Sequence, residues 1–186
     1  MISFNFASLL QQMQQPEFYP HPTKQPIRLV QTHASTVLLT GDYAYKLKKS
    51  VDFGFLDYSA LAKRQDFLKQ ELALNQAIAP EIYLEVLPIS QSGQKLILGE
   101  STNPVEYTLK MRQFPEDCLL VNLLEQGKLT AEIMAELGKV VARFHQQTQT
   151  NEYIVISNKN ETLSDTIITN NVIKSTIRRS IHSSSL

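Results

Sequence analysis

The chain has 186 residues, 42% of them apolar, enough to bury a core in one domain or a lobed pair. Its 18 Lys and Arg balance 18 Asp and Glu, which excludes the chain-wide field that steers proteins to nucleic acid or anionic membranes, so neither is expected as a partner. The single cysteine, Cys118, excludes an internal disulfide; His21, His33, His145 and His182 are too scattered for zinc-ligand spacing, and a reducing, cytoplasmic setting is expected.

The first 15 residues, MISFNFASLLQQMQQ, lack a basic leader and a long apolar run, so they read as neither signal peptide nor membrane span. Phe6, Leu9, Leu10 and Met13 instead mark one face of a short helix. Residues 16–26 carry four prolines, which lack backbone donors and restrict their predecessors, and predict an irregular connector. IRLVQTH, TVLLT and YAYKLKK then predict three consecutive antiparallel strands, with a turn at Gly41-Asp42. Alternation in the third places Tyr43, Tyr45 and Leu47 on one face and Ala44, Lys46 and Lys48 on the other.

From Ser59, read as an N-cap, the pattern becomes helical up to Pro80, with an apolar stripe of Leu61, Leu68, Leu72 and Ile78. Glu71 borders that stripe, where a carboxylate requires a cation. YLEVLPIS, a turn at Gln91 to Gln94, KLILG and VEYTLKMRQFP predict two or three more strands, making roughly five in all. A short helix is expected over 116–126, and a longer one capped by Thr130, with Ile133, Met134, Leu137, Val140, Val141 and Phe144 inward.

Taken together, LTGDYAYKLKKSVDFGFLDYSALAKRQDFLKQELALNQAIAPEIYLEVLPI, VEYTLKMRQFPEDCLLVNLLEQGKLT and ARFH resemble the aminoglycoside-phosphotransferase-like bacterial enzymes. The closest likeness is to the subgroup whose phosphotransferase domain precedes a P-loop ATPase domain, and it covers about residues 27 to 150. The resemblance implies an α+β, protein-kinase-like N-terminal lobe, a five-stranded antiparallel sheet with one major helix, followed by the first helices of an incomplete C-terminal lobe. It implies ATP as cofactor, Mg2+ in the complete enzyme and a small hydroxyl acceptor. Position by position, Lys46 resembles the phosphate-binding lysine, Ala44 the roof over the adenine, and Glu71 the helix glutamate that pairs with the lysine. Met111, Arg112, Gln113 and Phe114, within KMRQFP, resemble the strand end and hinge whose backbone faces the adenine edge. A lysine that meets phosphates needs an anionic brace for its flexible stem, and this is the role the likeness gives Glu71. Lys48 is the rival lysine on the same face, and an exposed lysine with a solvated glutamate is the competing reading.

Thr32 to Ser35, THAS, stands where protein kinases place a glycine-rich loop and contains no glycine. Ser35 and Thr36 are candidate phosphate donors, but a plain hairpin turn is the better expectation. Asp52-Phe53-Gly54 has the letters of the kinase metal motif. That motif follows the catalytic loop in the second lobe, whereas Asp52 lies six residues past Lys46, so a strand-to-helix connector is expected.

Asp165 and Asn170 have the five-residue spacing of a catalytic loop, yet Leu163 and Ser164 replace the family's His-Gly and no acidic residue follows Asp165. They are rejected as catalytic residues, and no catalytic or metal-binding residue is assigned. From about residue 154 the chain is dense in Ser, Thr, Asn and Ile and has no Gly, Ala or Pro, a shift that suggests a lost reading frame or a truncated gene. The expected division is therefore 1–26 helix and connector, 27–115 N-terminal lobe, 116–150 start of a helical lobe, and 151–186 a divergent, poorly ordered tail. The expected function is a truncated ATP-dependent small-molecule phosphotransferase, inactive alone, with a non-catalytic nucleotide- or partner-binding module as the alternative.

Overall fold

The computed structural model describes residues 4–115 and 119–148. They fall into two compact units, one from Met1–Gln76 and Glu81–Gln113, the other from Ala77–Pro80 and the chain from Phe114 onward. The Asp165/Asn170 pair and the residues from 151 lie outside the described part.

The first unit is α+β. Helix α1 (Phe6–Met13) precedes β1 (Arg28–Gln31), β2 (Ser35–Leu39), β3 (Tyr43–Lys48), helix α2 (Leu61–Gln76), β4 (Tyr83–Ser92), β5 (Lys95–Leu98) and β6 (Pro104–Arg112). The sheet has six strands, in the order β1-β2-β3-β6-β4-β5, all pairs antiparallel. The expected count of five is thus corrected: Ser92 pairs with Lys95 across a two-residue turn at Gly93-Gln94, tight enough to leave full strands on both sides. Gly93 has φ +62°, a conformation that glycine adopts without penalty.

Helix α1 starts where Asn5 caps it, Oδ1 accepting from the amides of Ala7 and Ser8. Its Leu9 and Met13 are fully buried against Leu38, Tyr45, Leu47, Ile89 and Leu96, each burial contributing about 1.5–3 kcal/mol. The proline-rich segment is irregular apart from one 3-10 turn, Pro16–Phe18, but its Tyr19 packs into the same core and donates to the carbonyl of Met13. Gln12 fastens α1 to the β4–β5 hairpin, donating to Gln94 O and accepting from the Leu96 amide.

Helix α2 packs on β4 and β6. It begins at Leu61, not after a cap at Ser59: the Ser59 hydroxyl donates to Asp57 instead, and its carbonyl accepts from Arg64. The apolar stripe is also corrected. Ile78 lies beyond the helix end, and the residues buried on α2 are Arg64, Leu68 and Asn75, which with Glu71 form one mostly polar face at i, i+4, i+7 and i+11. Arg64 grips the buried Glu106 of β6 through Nε and Nη2 at 3.0–3.1 Å, and its Nη1 donates to the carbonyls of Tyr58 and Ser59.

In the second unit, α3 (Leu120–Glu125) and α4 (Ala131–Thr148) follow one another, and Thr130 caps α4 by accepting from the Ile133 amide. Leu137 is buried, whereas Met134, expected inward, is 45% exposed. Among the described residues no helix is long and apolar enough to cross a membrane.

Replacing Arg64 by Met strands Glu106 without a cation and removes the Nη1 donor from the Tyr58 and Ser59 carbonyls. Urea denaturation of Arg64→Met is expected to show a loss of about 3–5 kcal/mol, with no recovery in Arg64→Lys, which cannot reproduce the forked geometry.

Candidate functional site

β3 is buried on both faces, and its alternation divides two chemistries. Tyr45 and Leu47 enter the apolar core under α1, whereas Ala44, Lys46 and Lys48 point to the opposite face. The β2 partners on that second face are Leu39, Val37 and Ser35, and the β6 partners are Met111 opposite Ala44 and Leu109 opposite Lys46. The hydroxyl of Thr108 donates to the Lys46 carbonyl at 3.1 Å and fixes the backbone at the lysine.

Glu71 of α2 meets both lysines. Its Oε1 lies 2.5 Å from Lys46 Nζ and its Oε2 2.8 Å from Lys48 Nζ, with side chains only 9%, 10% and 5% exposed respectively. The sequence placed Lys46 and Glu71 together and left Lys48 as a rival; the structure makes Lys48 a co-partner on the second oxygen. Among the described residues no second carboxylate pairs with either lysine. The cluster therefore holds two ammonium groups against one carboxylate in a nearly dry setting. Burial pushes the Glu71 carboxyl upward, but Lys46 and then Lys48 outweigh it and hold the group at about 2. Burial also lowers Lys46, against the pull of Glu71, and the neighbouring Lys48 adds to the lowering.

Tyr58 went unnoticed in the sequence. It is buried, meets Phe67 edge-on at 4.8 Å, and places its ring 5.0 Å from Lys48 Nζ, a cation–π contact. The Asp52–Asp57 loop delivers it. Gly54, at φ +80°, donates its amide to Asp52 Oδ1, Asp52 bridges Asp57, and the Tyr58 amide donates to Val51 O. Asp52 thus serves as a turn-forming acceptor in a connector. A buried tyrosine after an acidic turn was the available signal, masked by its resemblance to an ordinary core residue.

The loop at Thr32 to Ser35 is a tight hairpin. Thr32 donates its amide to Ser35 O, Ser35 donates to Thr32 Oγ1, and Lys49 closes the turn with bonds to Thr32 O and Ala34 O. Thr36, paired with Leu47, lies on the α1 face, away from Lys46, so strand alternation removes it as a phosphate donor at this cluster.

The segment after β6 is held more closely than its sequence suggested. Arg112 donates its amide to Ile82 O at 2.7 Å and Gln113 donates to Asp42 O at 2.9 Å, while the Gln113 side-chain oxygen accepts from the Gly41 amide. Two backbone donors of the expected adenine-facing stretch are therefore engaged with the protein. Phe114 belongs to the second unit. Among the described residues no group of three or more His, Cys, Asp or Glu is placed to hold a metal ion.

The chain is similar to Uncharacterized protein Rv2004c of Mycobacterium tuberculosis and Uncharacterized protein Mb2027c of Mycobacterium bovis. Each is 31% identical over 136 residues, 72% of this chain and 26% of the relative. The chain thus spans about a quarter of the length of the curated relatives it matches. No family model matches the sequence, and no solved structure matches it.

The shared carboxylate sets two expectations. Glu71→Gln leaves two buried ammonium groups facing each other and should lose about 3–5 kcal/mol in urea denaturation, more than Lys48→Met, which leaves a neutral Lys46–Glu71 pair. With Glu71 lowered from 4.5 to about 2, its contribution is fully present above pH 4.5 and disappears as pH falls toward 2. Urea midpoints measured from pH 5 down to 2 should therefore fall less steeply in Glu71→Gln than in the wild type.

Proposed function

We propose that residues 27–115 form the nucleotide-binding lobe of an ATP-dependent small-molecule phosphotransferase, with a protein-kinase-like arrangement in which Lys46 meets the phosphates and Glu71 braces it. The observation that carries this reading is the buried cluster of two lysines on one carboxylate, presented by a strand and the helix that follows it. Such a cluster carries one uncompensated positive charge where water cannot screen it, and an entering anion relieves that cost. The position of α2 between the third and fourth strands, with the lysine on the third, further supports the kinase-like reading.

In this proposal Lys46 turns from Glu71 Oε1 to the α- and β-phosphates, a point charge held in low dielectric where its attraction for phosphate is strong. Ala44, two residues earlier on the same face and paired with Met111, is small enough to let a flat purine approach the sheet. The Arg112 and Gln113 amides act indirectly, by holding the end of β6 to Ile82 and to the β2–β3 turn. Magnesium is expected to accompany ATP and to neutralise phosphate charge; the described residues contribute the lysine and its brace. Transfer to the hydroxyl of a small acceptor is proposed for the whole protein and involves residues beyond those named here.

Thermal unfolding with and without ATP tests the reading. ATP at about 100 times its Kd should stabilise the wild-type chain by about 2.7 kcal/mol, and the stabilisation should vanish in Lys46→Met, which keeps the Lys48–Glu71 pair. An unchanged melting temperature in the wild type, or an equal rise in Lys46→Met, would overturn the proposal.

A further inference from the structure

A brace made of one lysine and one glutamate has a cost built into it. When the lysine leaves for a ligand, the carboxylate it abandons is buried and unpaired, a penalty of several kcal/mol. Here the second carboxylate oxygen is already occupied: Lys48 Nζ lies 2.8 Å from Glu71 Oε2, on the same β3 face and two residues beyond Lys46. Two residues along a strand span about 6.6 Å, so the two stems converge on one carboxylate from either side. The two lysines are not held alike. Lys48 has Glu71 and the Tyr58 ring, itself wedged by Phe67, whereas Lys46, among the described residues, pairs with Glu71 alone.

We propose that Lys48 is a positioning residue: it keeps Glu71 charged and in place while Lys46 leaves the carboxylate for a phosphate. The inference rests on the phosphate-binding reading of Lys46 and assigns the second lysine a role distinct from touching ligand. It also defines the ligand class. With Lys48 and Glu71 cancelling each other, Lys46 remains as a single unspent charge, suited to a polyphosphate and indifferent to a neutral nucleoside.

Calorimetric titration with ATP and with adenosine, on the full chain, tests this in the wild type, Lys48→Met, Glu71→Gln and the double variant. Lys48→Met should weaken ATP binding about tenfold, because Glu71 then holds Lys46 as its sole partner, and should change adenosine binding by less than about twofold. In the Glu71→Gln background the same substitution should cost less than about twofold, since no carboxylate remains to be stranded. An equal loss in both backgrounds would make Lys48 a direct phosphate ligand and overturn the assignment, as would wild-type ATP affinity in Lys48→Met. Both outcomes leave the phosphate reading of Lys46 standing; failure of ATP to bind the wild type would remove that reading and this one together. Should Glu71→Gln not fold, carbon-13 NMR of the Glu71 carboxyl in the ATP complex decides instead. Protonation about one pH unit higher in Lys48→Met than in the wild type supports the role, and identical titration refutes it.

Discussion

One carboxylate shared by two lysines governs how this domain is put together. A helix normally docks on a sheet through an apolar stripe, yet the inward face of α2 carries Arg64, Glu71 and Asn75 beside the single fully buried Leu68. The register of docking is therefore set largely by matched charges, which tolerate no substitution by shape alone. Glu71 meets Lys46 and Lys48 on β3, and Arg64 meets Glu106 on β6, so helix and sheet are registered by ion pairs at two strands. Such pairs give geometric definition more reliably than they give net stability.

The stability comes from the other side of the sheet. Leu9 and Met13 of α1, with Tyr19 from the proline-rich segment, cover Leu38, Tyr45, Leu47 and Ile89 in a conventional apolar core. Every second residue of β3 is thus anchored from behind, while the residues between them face the ionic layer. The strand is buried on both faces, but each face is buried for a different reason.

Much of this was legible in the residues. Alternation alone separated Tyr45 and Leu47 from Lys46 and Lys48, and the position of Glu71 at the margin of an apolar pattern identified an acid in need of a cation. The capping role of Thr130 followed from local chemistry in the same way, and the connector at Asp52-Phe53-Gly54 from its place shortly after Lys46. What sequence reasoning could not supply was pairing at a distance. Arg64 and Glu106 are 42 positions apart, and each looks solvent-facing on its own; only Glu106's place in the alternating VEYTLKM run, in step with the buried Thr108, pointed inward. The helical pattern misled for the same physical reason: an apolar stripe was sought where the buried face is ionic, which carried the expected stripe onto Ile78, past the helix end. The segments of all six strands were named, but the last three were counted as two or three; the tight hairpin at Gly93-Gln94 makes them three.

The two ion pairs on α2 have a mechanical corollary. Arg64 and Glu71 are seven positions apart, about 10.5 Å along the helix axis. A rod pinned at one point swivels; pinned at two, it must tear one fastening to turn about the other. Swinging this helix outward would therefore break at least one buried charge contact.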